Sequence, residues 1–333
     1  MPTLDVFKAD GFSVASLTEA ILKAPYQPGR IGQLGLFRER GITTTTVQVE
    51  EKAGQLSLIP TSPRGGVPDT LGQAKRTLRS FAVPHLAREA KIYADEVQNI
   101  RAFGSETDVQ NVQSLVDERL AELRAMHEVT LEFHRIGAIQ GLILDADGST
   151  LYNLFTEFGV AQQTQDFAFT TATTDIREVI VAALRLSEAE LGGTVATAYR
   201  GFCGAAWFDA LVAHATVKEA FKYQEGRVLG QDLRMSGFTF GGVTWEEYRG
   251  SVSGQAFVNT AVAFIVPVTG PSINVTHFAP ADFIETVNSL GLPLYAKQAP
   301  DPSGLNRFVN LHSQSNPLAM CLRPRSVIKC TKS

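Results

Sequence analysis

Residues 105–137 read SETDVQNVQSLVDERLAELRAMHEVTLEFHRIG, and their spacing predicts a long helix. Ser105-Glu-Thr-Asp108 has the form of a capping box. Behind it, Val109, Val112, Val116, Leu120 and Leu123 recur every three or four residues, which places them on one apolar face. The pattern continues past Thr130 and Phe133 to about Gly137. Roughly 30 residues at ~1.5 Å each make a rod about 45 Å long. The rod is acidic: from Asp95 to Glu132 nine acids stand against three arginines, a net charge of -6. A run of this kind ordinarily reads as a solvated helix face.

The segment upstream carries the opposite charge. Between Pro60 and Arg88, Arg64, Lys75, Arg76, Arg79 and Arg88 oppose only Asp69, a net of +4. Gly65, Gly66, Pro68 and Gly72 mark a turn between two extended limbs. With little apolar content, such a segment cannot bury itself and needs a partner surface. β-branched alternation predicts strands at Thr43–Val49 and Gln55–Ile59. Before them lies a short helix candidate, Ser16–Ala24, followed by a stretch broken by Pro25, Pro28, Gly29, Gly32 and Gly35. That beginning reads as an arm packed on something else.

Downstream of the rod, Leu142–Leu144 and Thr150–Tyr152 flank Asp145-Ala-Asp-Gly148, which predicts a hairpin. Asp175 caps a second amphipathic helix running to Leu191 and closed by Gly192-Gly193. A third helix is expected from about Ala205 to Phe221. Past Leu233 the chain turns β-rich, with strands expected at Thr244–Tyr248, Ala261–Val266 and Met320–Lys329, and a short helix from Pro280-Ala-Asp282 to Ser289. The class is α+β.

The chain has 333 residues, 44% hydrophobic and 19% charged, enough for one large or two medium domains with a substantial core. A formal charge of -4 argues against binding nucleic acid by phosphate neutralisation, though not against enclosing it. Cys203, Cys321 and Cys330 form no CxxC pair and read as reduced cytosolic thiols. The first residues lack a basic n-region and apolar core, so no signal peptide is expected. No stretch approaches the ~20 apolar residues of a membrane span. The sequon at Asn274-Val-Thr276 reads as chance.

The chemical motifs are weak. Asp145-x-Asp147-Gly148 opens like a calcium loop, but the twelfth position is Thr156, so a hairpin turn is the better reading. His127 and His134 are seven apart, whereas a zinc protease helix needs histidines four apart; both read as surface residues of a charged rod. Gly29-x-x-Gly32-x-x-Gly35 has no preceding strand and no following Lys-Ser/Thr, so it is no phosphate loop. Cys203 reads as a small buried residue rather than a nucleophile. No catalytic, cofactor-binding or metal-binding residue is assigned, and no cofactor is expected.

An ordered set of phrases resembles the lambda-type major capsid proteins of tailed bacteriophages. It begins with Ile59-Pro60-Thr-Ser-Pro63-Arg-Gly-Gly66, Arg79-Ser-Phe-Ala-Val-Pro-His85 and Val97-Gln-Asn-Ile-Arg-Ala-Phe-Gly-Ser-Glu106. Glu118-Arg-Leu-Ala-Glu122, Gly141-Leu-Ile-Leu-Asp-Ala-Asp-Gly148 and Leu151-Tyr-Asn-Leu-Phe-Thr-Glu-Phe-Gly159 follow. Trp245-Glu-Glu-Tyr-Arg-Gly250, Phe278-Ala-Pro-Ala-Asp282, Leu290-Gly-Leu-Pro-Leu-Tyr-Ala-Lys297 and Leu311-His-Ser-Gln-Ser-Asn-Pro-Leu318 complete it. The resemblance covers about residues 55–330, and the first 40 match less clearly. It implies the Hong Kong 97-type capsid fold: an N-terminal arm (1–41), an extended E-loop (42–86), a peripheral P-domain with a spine helix (87–193), an axial A-domain (194–310), and C-terminal P-domain strands (311–333).

The same resemblance implies a structural protein of the virion, not an enzyme. It implies self-assembly into the hexamers and pentamers of an icosahedral shell around double-stranded DNA, in the host bacterial cytoplasm and away from membranes. Expected partners are further copies of the chain, a scaffolding protein, a portal and a cement or decoration protein. In this fold the E-loop lies over a neighbour's spine helix, which would set Arg64, Lys75, Arg76 and Arg79 against acids such as Asp117, Glu118 and Glu122. An encapsulin-like nanocompartment shell is the alternative, and a cytosolic enzyme a distant third.

Overall fold

A computed structural model describes residues 13–23, 29–52, 76–98, 108–222, 234, 237–252, 254–305 and 307–333. The chain divides into two compact units: residues 1–47, 82–135 and 276–319 form unit 1, and 48–81, 136–275 and 320–333 form unit 2. These boundaries are drawn along different lines from the five ranges expected above.

Unit 1 is built on a three-stranded antiparallel sheet of β15 (Tyr295–Pro300), β16 (Phe308–Ser315) and β4 (Leu86–Tyr93), with β16 in the centre. Ile92, Leu294, Ala296, Val309 and Leu311 meet Val116, Leu120 and Leu123 of helix α4 (Asp108–Gln140) and Leu17 and Ile21 of α1 (Val14–Lys23) in one core. The i, i+4, i+7 spacing of the α4 residues is what lets a straight helix lay one stripe on the sheet. Strand β15 would be an open edge, but Thr18 of α1 closes it. Its hydroxyl donates to Ala296 O (3.3 Å) and accepts from Ala296 N–H (3.2 Å), satisfying both groups of one edge residue. The unit also holds α2 (Arg30–Gln33), β1 (Phe37–Gly41) and α3 (Ala94–Gln98). Strand β1 pairs in the order β1-β14-β17 with β14 (Asn274–Phe278) and β17 (Pro317–Cys321).

Unit 2 centres on a six-stranded mixed sheet, ordered β7 (Thr164–Asp166), β18 (Ile328–Thr331), β13 (Val262–Thr269), β8 (Ala196–Cys203), β10 (Val243–Glu247) and β9 (Phe238–Phe240). β18 runs parallel to β7 and β8 parallel to β10, while the other neighbours are antiparallel. Helices α6 (Ile176–Glu190) and α7 (Ala205–Ala213) cover a core in which Trp207 lies 5.1 Å from Trp245 and 5.0 Å from Phe167. Gly201 on β8 is fixed by space: a Cβ there would enter the Trp245 ring. Asp175 caps α6 through Arg177 N–H (2.9 Å), and Gly192 and Gly193 leave it with φ of +56° and +88°. Helix α5 (Leu154–Phe158), helix α8 (Ala215–Lys222) and the small hairpin of β11 (Ser251–Val252) and β12 (Gln255–Ala256) complete the unit.

The expected hairpin is β5 (Leu142–Leu144) with β6 (Thr150–Asn153). Asp145 and Asp147 accept Ala146 N–H (2.7 Å) and Ser149 N–H (2.8 Å), so these carboxylates shape a turn. Strands β2 (Thr46–Lys52) and β3 (Arg76–Ala82) form a two-stranded ribbon of their own.

Several expectations change. The third helix is two, broken where His214 turns extended (φ -64°, ψ 142°) and its Nδ1 meets Thr216 Oγ1 at 2.9 Å. The strand expected at Met320–Lys329 is interrupted by a 3-10 turn at Pro324–Ser326, because Pro324 cannot donate to a ladder. The helix expected after Pro280 shrinks to a 3-10 turn, Ile284–Thr286, before Asn288 takes a left-handed φ of +58°. The capping box at Ser105 and the strand at Gln55–Ile59 lie outside the described residues.

Candidate assembly surfaces

Within unit 1, α4 holds the preceding chain by three polar clamps on its buried side. Arg124 Nη1 donates to Ile21 O (2.9 Å) and Leu22 O (2.5 Å), two carbonyls in the last turn of α1, while its Nε donates to Glu128 (2.6 Å). A cation there answers the unpaired carbonyls and the negative end of the helix. Two turns on, the buried Glu132 carboxylate accepts Ile31 N–H (2.6 Å) and Gly32 N–H (3.3 Å) at the start of α2. Gly29 has an ordinary φ of -59°, so its role is spatial: a Cβ would overlap that carboxylate. Last, the buried Arg135 donates to Glu39 of β1 (2.6 Å) and Thr276 (3.3 Å), and lies 5.7 Å from the Phe37 ring centre.

His127 and His134 are 8% and 1% exposed, which corrects their reading as surface residues. They continue the stripe of Val116, Leu120 and Leu123 at the same helical spacing, so they point inward. His127 Nε2 lies 3.0 Å from Ser313 Oγ, whose hydroxyl hydrogen goes to Arg88 O (3.1 Å). The imidazole is therefore the donor, a neutral Nε2–H tautomer. Burial, with smaller contributions from His312 and Arg88, depresses its pKa to about 4. A serine whose proton is already committed to a backbone carbonyl is no nucleophile, so this pair is structural.

Beside it, Leu22, Arg124, His127, Glu128, Leu131 and Phe278 help line a cavity of about 210 Å³. Its charged lining is already paired, Arg124 with Glu128 and Glu39 with Arg135. Cys203, Cys321 and Cys330 are fully buried, and burial raises all three thiols, Cys321 to about 12. None is a reactive thiolate at neutral pH. Among the described residues no group of three His, Cys, Asp or Glu could hold a metal, and no helix is long and apolar enough to cross a membrane.

The exposed side of α4 carries the predicted acids. Asp117, Glu118 and Glu122 all face solvent, and Glu122 accepts from Arg119 at 3.2 Å. Arg119 also reaches Glu96 at 3.6 Å, and these partners raise its pKa. Met126 and Val129 are exposed on the same helix, at 49% and 45%. Of the predicted cations, Arg79 is turned onto its own chain. Strand alternation puts it on the side of the fully buried Phe81; it donates to Phe158 O (3.3 Å) and lies 5.8 Å from the Phe158 ring centre. Arg64, Lys75 and the side chain of Arg76 lie outside the described residues. The sequence reading missed the clamps, because Arg124, Glu132 and Arg135 looked like ordinary members of a charge run. It also missed an exposed apolar ridge at Ile284, Val287 and Leu290, whose signal is three aliphatic residues inside a loop.

Comparison with known proteins agrees across the chain. Residues 13–332 match the family model described as phage major capsid protein E. The chain is 30% identical to the major capsid protein of Pseudomonas phage KPP10, over 96% of this chain and 97% of that protein. It is 23% identical to the major capsid protein of Salmonella phage Felix O1, over 95% of each. Among solved structures it resembles a chain described as a prophage capsid protein of E. coli CFT073 (TM-score 0.59, 12% identity, 96% of this chain and 99% of that one). The capsid of cyanophage P-SCSP1u is also similar (TM-score 0.50, 12% identity, 90% and 86%). At such identities the structures show the fold, the mixed helix-and-sheet capsid fold, while the sequence relatives favour a phage protein over a nanocompartment shell or an enzyme. The chain belongs to the phage major capsid protein E family: it is a major capsid protein of a bacteriophage virion, structural rather than enzymatic.

Proposed function

We propose that copies of this chain close into hexamers and pentamers of an icosahedral shell around double-stranded DNA, overlapping through the β2–β3 ribbon. The observation that carries this reading is the ribbon itself: two strands that pair with each other and, among the described residues, with no third, leading to and from the basic segment. A two-stranded ribbon is marginal in water alone and needs a surface to lie on. The exposed acids of α4 on a neighbouring copy supply one of opposite charge. In this reading residues 1–41 are the N-terminal arm, 42–86 the E-loop, 87–193 the P-domain with its spine helix, 194–310 the A-domain, and 311–333 returning P-domain strands.

Arg64, Lys75 and Arg76 of one copy would face Asp117, Glu118 and Glu122 of the next. Arg79 contributes less, being engaged with Phe158. Each exposed pair is worth only ~0–1 kcal/mol, but the contact repeats at every copy. The net charge of -4 suits a wall that confines DNA without holding it. A scaffolding protein, a portal and a cement protein complete the proposed partners, with assembly in the host cytoplasm. A charge swap tests the overlap. Lys75→Glu with Arg76→Glu should abolish ordered assembly, and adding Glu118→Lys with Glu122→Lys should restore it. Normal assembly by the first double variant would refute the pairing.

A further inference from the structure

Between β14 and β15 the chain forms a ridge, Phe283–Leu292, tied down along its length. Thr286 Oγ1 donates to Ala281 O (2.7 Å) and Ser289 Oγ to Thr286 O (2.7 Å). Gly291 N–H donates to Ile42 O (2.9 Å), and Leu292 N–H to the Tyr295 hydroxyl (2.8 Å). Gly41 must lack a side chain because the Gly291 carbonyl and Leu290 occupy the space. Asn288, in the left-handed region that asparagine tolerates best after glycine, turns the crest. On this fixed frame Ile284 is 91% exposed, Val287 66%, Leu290 62% and Leu292 39%. Four aliphatic side chains held outward on one ordered loop make a contiguous apolar patch, and the largest such patch on a chain, roughly 300–600 Å², is often functional.

The charges around the ridge narrow the partner. Lys297 binds both oxygens of Glu285 (2.8 and 3.1 Å) and lies 5.1 Å from the Phe283 ring centre, so it is not offered to a phosphate or a lipid headgroup. Asp282 Oδ1 lies 2.6 Å from the Gln314 amide. In a contact about a two-fold axis the same patch of both copies meets, so residues at the centre face their own counterparts. Unpaired charge on the ridge would then repel itself, whereas the Glu285–Lys297 pair is neutral within each copy. Size decides the next point. A stable pair needs about 800 Å² and roughly 20–30 residues from each partner, and a ridge of four exposed aliphatic side chains is far smaller, so it does not hold two copies together alone. It works as one of several contacts around each copy.

We propose that the Phe283–Leu292 ridge is a contact between copies of this chain, ridge against ridge across a two-fold axis. The proposal rests on the shell reading above and adds which surface meets which. Because the patch is too small to act alone, association is cooperative, with a threshold concentration below which copies stay apart.

The test uses the purified full chain, concentrated until electron microscopy shows ordered lattices, whether shells, tubes or sheets. Ile284→Cys introduces an exposed thiol into a chain whose own three cysteines are buried. Mild oxidation should give disulfide-linked pairs in lattices and none in dilute solution. Ile284→Asn with Val287→Asn should raise the assembly threshold tenfold or more while the thermal melt stays unchanged. An unchanged threshold overturns the proposal. A raised threshold without cross-links overturns the ridge-to-ridge arrangement. Binding of the unmodified chain to phosphatidylcholine vesicles, lost in the asparagine variant, would overturn it in favour of a lipid surface. No lattice from the unmodified chain at any concentration would overturn the shell reading and this proposal together.

Discussion

His127 shows how a single residue ties the acidic helix to the sheet. Folded, it stays neutral down to about pH 4, whereas in the unfolded chain it protonates near 6.5. Between those values the unfolded chain takes up a proton that the folded chain refuses. Stability therefore falls as pH drops from 6.5 and levels off near 4, by roughly 3 kcal/mol in all. Carboxylates titrate in the lower half of that window, so the comparison is with His127→Asn. The stability difference between parent and variant, from urea midpoints, should shrink by about 3 kcal/mol between pH 7 and pH 4. A difference independent of pH would contradict the buried neutral imidazole. The inward direction of His127 was legible in principle, since it lies four residues beyond Leu123, but its polar character and acidic surroundings favoured a surface reading. Its partner Ser313 is 186 residues away, and no local pattern points to it.

At the scale of elements, α4 organises unit 1 by presenting a cation to the end of α1 and an anion to the start of α2. Gly29→Ala should displace the Glu132 carboxylate and cost about 1–3 kcal/mol, the penalty of leaving buried donors unmet. Glu132→Ala should cost a similar amount. If both act through one contact, the double variant will be little worse than either single one in denaturant melts; full additivity would contradict the clamp. Most helices were legible because their cues are local: the three-and-four spacing of α4, the Asp175 cap and Gly192-Gly193 exit of α6, and the Asp145–Gly148 turn. Strands β8 and β16 were not. Neither alternates cleanly, and β8 carries Gly201 because Trp245 needs the space, a reason visible only once β10 lies beside it. The break at His214 was missed because Ala205–Phe221 keeps apolar residues at helical intervals across it.

The whole molecule has no cluster of chemical groups in search of a substrate among its described residues. It has surfaces: an acidic helix face, a two-stranded ribbon beside a basic segment, and an ordered apolar ridge. The basic and acidic runs were legible as charge counts, but which cations were available was not. Arg79 faces its own Phe158 because it shares strand parity with Phe81, and parity is fixed only when the strand packs. The ridge escaped the sequence reading because a Pro-Ala-Asp start suggested a helix, which would have turned some of its aliphatic side chains inward. The central claim is that this chain exists to meet copies of itself. Electron microscopy of the purified full chain over a range of concentrations tests it most directly. Extended lattices of six-fold rings should form above a threshold concentration, with closure into uniform shells left to the scaffolding protein; a monodisperse monomer at every concentration would contradict the claim.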